Sequence, residues 1–153
     1  MDMQGYEKIR DYINSYNSLA VIGTIDDDGT PRGAVVYICT DSHRPVVYFI
    51  TKNGTHKYKN LIVRPSVSLT FVNPGEVSTL QAKGQASQVH DASTLDMITT
   101  RIARATTAAP EWLPPIAKIR AGKYVMIAVK LTEARLAQYK GRQIGEEDIF
   151  TEA

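Results

Sequence analysis

The chain has 153 residues, 43% of them hydrophobic and 22% charged, which are ordinary globular proportions and enough for one domain with a real core. A formal charge of +2, with no Lys/Arg-rich block, argues against a nucleic-acid partner, and no stretch approaches the roughly 18 apolar residues of a membrane span. One cysteine, Cys39, excludes an intrachain disulfide, and a polar start without an apolar signal core makes a cytoplasmic protein the expectation.

Tyr6, Ile9, Ile13 and Tyr16 recur at helical spacing and predict an amphipathic helix over residues 3–15. Leu19–Ile25 is a short apolar strand. The turn Asp26-Asp27-Asp28-Gly29-Thr30-Pro31 leads into a second strand over 33–39, which makes a hairpin. The three carboxylates lack the spaced acids and terminal Glu of a calcium loop, so they read as turn chemistry.

After a turn at residues 41–45, Val46, Val47, Tyr48, Phe49 and Ile50 form a β-branched and aromatic strand. Asn53-Gly54 breaks it, and a short helix restarts with Thr55 as N-cap and Tyr58, Leu61 and Ile62 on its apolar face. Arg64-Pro65 ends that helix, because the residue before proline disfavours the helical region. Residues 66–72 alternate as a half-buried strand, Asn73-Pro74-Gly75 turns the chain, and 79–89 supplies another strand with Gly84 as a candidate bulge. Asp91 caps a helix with a Leu95, Ile98, Ile102 stripe that stops near Pro110; residues 111–115 are a rigid, proline-bounded connector. Residues 124–131 form the strongest late strand, with a further one over 134–139 and an irregular polar tail from Lys140.

Six or seven hairpin-connected strands with a few short helices predict a mainly β (α+β) fold, a small antiparallel barrel flanked by helices. Among candidate sites, the start of the helix after Asn53-Gly54 stands out. It presents unpaired N–H groups and a positive dipole end, together with the Thr55 hydroxyl, His56 and the Lys57 ammonium. That set suits an anion, most naturally a phosphate, and equally describes an ordinary capped helix with solvated lysines. Gln81 offers an amide to a ring system or is a surface residue, and Trp112 is a stacking lid or a packed anchor. The histidines His43, His56 and His90 have no metal-ligand spacing, Cys39 shows no sign of thiolate activation, and no nucleotide-binding or hydrolase motif is present. No metal site is expected.

From about Leu19 to Asp91 the chain resembles the FMN-binding split-barrel proteins related to pyridoxamine 5'-phosphate oxidase, in shape most like the general-stress-protein branch. The resemblance rests on Ala20-Val-Ile-Gly-Thr24, Asp28-Gly-Thr-Pro31, Tyr48-Phe-Ile-Thr51, Thr55-His-Lys57, Asn60-Leu61, Arg64-Pro65 and Thr79-Leu-Gln-Ala-Lys-Gly-Gln-Ala86. It implies a split barrel in which Thr51, Thr55, His56 and Lys57 hold the ribityl-phosphate end of FMN. Gln81 would approach the flavin ring, and the backbone around Val35 and Val36 would face the ring edge. It further implies a homodimer with FMN at the interface, where a partner-chain residue, Trp112 being the candidate, covers the ring. His56 stands where the oxidase pattern has arginine, which makes the charge there pH-dependent. The apolar Ala34-Val-Val-Tyr-Ile38 and the tail over 139–153 lack the oxidase's basic strand and its Arg-and-Trp motif, so the resemblance does not extend to pyridoxal phosphate synthesis. What it implies is an FMN-dependent oxidoreductase acting on a small molecule. The alternative is a non-catalytic carrier or sensor of flavin, deazaflavin or haem.

Overall fold

The computed structural model describes residues 1–15, 18–106, 123–140 and 150–152. The chain opens with α1 (Met3–Asn14), capped by Asp2, whose carboxylate accepts from the Gly5 N–H at 2.7 Å. The strands are β1 (Leu19–Ile25), β2 (Pro31–Tyr37), β3 (Cys39–Thr40) and β4 (Val46–Lys52), then α2 (His56–Val63), β5 (Ser66–Asn73) and β6 (Ser78–Gln88). They are followed by α3 (Ala92–Thr106), β7 (Tyr124–Gln138) and β8 (Phe150–Glu152). All pairings are antiparallel, in the order β2-β1-β5-β6-β7-β4-β3, with β8 also on β7. The result is a curled half-barrel with three helices, the mainly β architecture expected. Among the described residues no helix is long and apolar enough to cross a membrane.

Inward-facing positions fill the curl. Ile22, Leu69, Leu80, Phe49 and Ile127 are buried there, joined by Tyr6, Ile9 and Ile13 of α1 and Leu61 of α2. Burying a residue such as Leu61, 1% exposed, contributes about 2 kcal/mol. A smaller cluster lies on the opposite face of β4 and β7, where Ile98 and Ile102 of α3 cover Tyr48 and Met126.

β7 is the spine of the sheet. Residues 127–138 pair with β6, residues 124–130 with β4 and residues 135–137 with β8. The expected break between two late strands is not a break. Lys83 faces Glu133 and Gly84 faces Leu131, so Thr132 is the extra residue of a bulge. The buried positions switch phase there, from Val129 and Leu131 to Ala134 and Leu136, which is why the sequence reads as two segments. Gly84 sits at the bulge because a Cβ would come within 2.5 Å of the Lys130 carbonyl oxygen. Three other expectations are corrected. The second strand ends at Tyr37 and restarts as β3, residues 150–152 pair as β8 instead of trailing off, and Ile62 is 52% exposed. On α2 the buried face is Leu61 with Asn60, and Tyr58 is half-buried.

A buried polar corner ties α1 to the β3–β4 turn. The Asp41 carboxylate accepts from the His43 and Arg44 N–H groups (2.8 and 3.0 Å), from the Arg44 guanidinium (3.1 Å) and from the Tyr48 hydroxyl (2.8 Å). The Tyr6 hydroxyl donates to the Asp41 carbonyl at 2.6 Å, and the Arg101 guanidinium to the Thr40 carbonyl. Burial pushes the Asp41 pKa up, but these hydrogen bonds outweigh it and the carboxyl lies below its ordinary value. Tyr48, buried and donating to Asp41, is pushed up to about 12.

Candidate functional site

β4 alternates Val47, Phe49 and Thr51 toward the core, and Thr51 is its last inward position before the Asn53-Gly54 turn. Its hydroxyl, 4% exposed as a residue, lies 3.1 Å from that of Thr55. Thr55 caps α2 as expected, accepting from the Tyr58 N–H at 3.3 Å, and its own proton goes to the Lys52 carbonyl at 3.0 Å. Thr51 is therefore the donor in the hydroxyl pair. One more N–H of the first turn is engaged, that of Lys59 with the Thr55 carbonyl. The N–H groups of His56 and Lys57 have no partner among the described residues. They point out of a helix start whose dipole favours an anion. Lys57 is half-buried, and burial lowers its pKa; His56 is exposed.

What fixes this helix start is a set of contacts that no sequence motif announced. The buried Asn60 amide donates to the Thr24 hydroxyl (3.1 Å) and to the Asp26 carboxylate (2.7 Å), tying α2 to the end of β1. Arg32 grips Asp26 through its Nε (2.9 Å) and its NH2 (2.9 Å), a two-pronged contact across the β1–β2 turn. The hydrogen bonds of Arg32 and then Asn60 hold the Asp26 carboxyl down at about 2, with a smaller contribution from the nearby His56. On the other flank the Tyr58 hydroxyl donates to Gln88 of β6 at 2.8 Å. The remaining turn acids do structural work, Asp28 bonding Thr30 and Asp27 pairing with Arg64 at 3.2 Å. No group of three His, Cys, Asp or Glu among the described residues is arranged to hold a metal.

Thr51 and Thr55 thus meet through their hydroxyls, and His56 and Lys57 follow as the first residues of α2. β2 borders this end of β4, since β2 is an edge strand paired to β1 alone and lies in contact with β4 across the split. Every second N–H and C=O along such an edge is free for a ligand. Of the two valines there, Val36 is buried in the core and Val35 is 49% exposed. Gln81 is elsewhere. It lies on the outer face of β6 between Thr70 and Arg135, over a depression of about 410 Å³. It is seven positions along the strand from Gln88, which touches α2, a run of roughly 20 Å. Trp112 lies outside the described residues. Cys39 is half-buried, and burial pushes its thiol up, the opposite of an activated nucleophile.

A half-barrel split along β2 and β4, with an anion-ready helix start at the split, defines the class. The Pyridoxamine 5'-phosphate oxidase family profile matches residues 6–138, and the chain belongs to that family. Among solved structures it is similar to a protein related to general stress protein 26 from Clostridium acetobutylicum (13% identity, TM-score 0.63, covering 91% of this chain and 92% of that one). It is also similar to an F420 reductase (20% identity, TM-score 0.62, 81% and 94% covered). A third is HutZ, a haem storage protein from Vibrio cholerae (15% identity, TM-score 0.59, 83% and 90% covered). At these identities the likeness is one of fold. No curated protein matches the chain in sequence.

Proposed function

We propose that the protein is an FMN-binding oxidoreductase of this family, acting on a small molecule. The observation that carries this reading is the helix start of α2, where two N–H groups are uncommitted among the described residues and Lys57 stands half-buried in the first turn. Those donors suit a phosphate, and the free edge of β2 suits the polar rim of a flat ring. The protein's part is to bind and orient: Thr51, Thr55, His56 and Lys57 fix the phosphate, and the backbone at Val35 and Val36 lines the ring. Bound flavin would supply hydride transfer, taking electrons from a reduced nicotinamide and passing them to the substrate.

We further propose a homodimer with the flavin at the interface. The position of Gln81 supports it, seven positions along β6 from the Gln88 that touches α2, since a second copy would bring its own Gln81 to the ring. So does the outer face of the sheet, where Val21, Val35 and Val72 are 44%, 49% and 59% exposed. Trp112 stays the candidate for covering the ring.

The absorbance spectrum of purified protein, before and after adding FMN, tests the cofactor. A protein that takes up FMN but not riboflavin, and whose flavin NADH or NADPH bleaches anaerobically, fits the proposal. Uptake without reduction or turnover leaves a carrier or sensor, while selective uptake of deazaflavin or haem moves the protein to the other cofactors seen among its structural neighbours. A sedimentation mass of one chain removes the dimer.

A further inference from the structure

Where β6 leaves the sheet, its end, α3 and the start of β7 enclose a depression of about 340 Å³. The β6–β7 ladder finishes at the Gln88–Ile127 pair, and one further bond follows, from the Val89 N–H to the Met126 carbonyl at 2.9 Å. Before that point β7 pairs with β4 on one side and with no described strand on the other. A residue in an antiparallel strand turns its N–H and C=O to the same neighbour. Met126, whose carbonyl meets Val89, therefore turns its N–H to the same gap, where that N–H has no partner among the described residues.

Thr99 of α3 lines the same depression, 9% exposed. A helical threonine commonly bonds the carbonyl one turn back, as Thr100 does with Asp96 at 2.8 Å. Thr99 makes no such bond, and its hydroxyl has no partner among the described residues. A nearly buried hydroxyl and a strand N–H without partners are what a bound molecule can satisfy. Leu95 and Met126 supply the apolar lining. Asp96 is the one carboxylate there, with no ion pair among the described residues, and no lysine or arginine is among the lining side chains.

We propose that this depression is a second small-molecule site, separate from the phosphate cradle, for a primary amine with an apolar ring and a polar substituent. Asp96 attracts the ammonium, Leu95 and Met126 take the ring, and the Thr99 hydroxyl and the Met126 N–H bond the substituent. A phosphate or carboxylate would meet Asp96 with no lysine or arginine of the lining to balance it. No residue of α2 or β2 lines the depression, so the site stands whether or not the cradle takes flavin.

The test titrates the full chain with tyramine and with hydroxyphenylpropionate, which exchanges the ammonium for a carboxylate on the same phenol, and follows backbone amide chemical shifts. The expected result is saturable tyramine binding with shifts centred on residues 88–99 and 124–126, and binding of the acid about tenfold weaker or less. Thr99→Val keeps the shape of the side chain and should weaken tyramine about tenfold while leaving phenethylamine, which has no hydroxyl, unchanged. Asp96→Asn, at an exposed position, should remove the preference for the amine over the acid. Tyramine that does not saturate, or an acid that binds as tightly, overturns the proposal. So does a Thr99→Val protein that binds tyramine as the parent does, or a set of shifts centred on residues 51–57.

Discussion

Two polar clusters flank β4, and they are built on opposite principles. In the Asp41 corner four donors converge on one carboxylate, and Tyr6 and Arg101 take up the neighbouring carbonyls. At the start of α2 the donors are gathered but not used: two N–H groups lack partners among the described residues, and Lys57 sits half-buried with no counter-ion there. A closed cluster holds the fold together, since a buried carboxylate left without partners costs far more than a satisfied one contributes. An open cluster contributes little to stability and is poised to gain from a ligand. The difference separates a structural network from a site more sharply than residue type does, because both contain a threonine, a basic residue and a histidine.

The largest effect should come from breaking the closed cluster. Asp41→Ala removes the acceptor of the buried Tyr48 hydroxyl proton, of the Arg44 guanidinium and of two N–H groups, and it should cost about 3 kcal/mol of unfolding free energy in urea titration. FMN affinity of the folded fraction should not move. Lys57→Ala should do the reverse. It should weaken FMN by about 10- to 100-fold, the range of a lost charge-assisted contact, with stability within about 0.5 kcal/mol of the parent. Riboflavin, which has no phosphate, is the control: an equal loss for riboflavin would show that Lys57 does not touch the phosphate.

The open cluster was legible in the sequence, and the closed one was not, for a physical reason. Turn, cap and lysine of the cradle are contiguous from Asn53 to Lys57, so local rules of capping and helix dipoles reach them. The Asp41 corner gathers Tyr6, Tyr48 and Arg101, whose adjacency exists only after α1 and α3 pack on the sheet. The same limit hid Asn60, whose amide reaches Thr24 and Asp26 across more than thirty positions. The hairpin pairs β1–β2 and β5–β6 were recoverable from their turns, but the β1–β5 and β4–β7 pairings join strands distant in sequence, and the β7 bulge was misread as a gap because it inverts the alternation on which strand reading depends. The expectation that Gln81 approaches the flavin ring followed from the resemblance alone; on β6 it faces outward between Thr70 and Arg135.

Thr55 tests whether the two principles can meet in one residue. Its hydroxyl caps α2 and faces the cradle, so Thr55→Ala should cost about 1 kcal/mol of stability and also weaken FMN. Thr55→Ser keeps the hydroxyl and should recover most of both. Recovery of stability without recovery of affinity would mean that the cap, not the ligand, explains this threonine.

The smallest effect is the response to acid, and it reports on what holds the cradle in place. Asp26 has a folded pKa of about 2 against an ordinary 3.8, set first by Arg32 and then by Asn60. A depressed carboxyl stabilises the fold fully above its unfolded value, and that contribution disappears as the pH falls from about 4 to about 2. The urea midpoint of the parent should therefore drop between about pH 5 and about pH 2.5, and Asp26→Asn should drop less over the same interval. The slope should shrink without vanishing, because Asp91, held by Thr94 and then Ser93, also lies at about 2 and remains in the variant. If Asp26→Asn keeps the parent's full slope, the tie from α2 through Asn60 to β1 is not charge-assisted, and the cradle is held by packing of Leu61 and the neutral contacts of Asn60 with Thr24 and Tyr58 with Gln88.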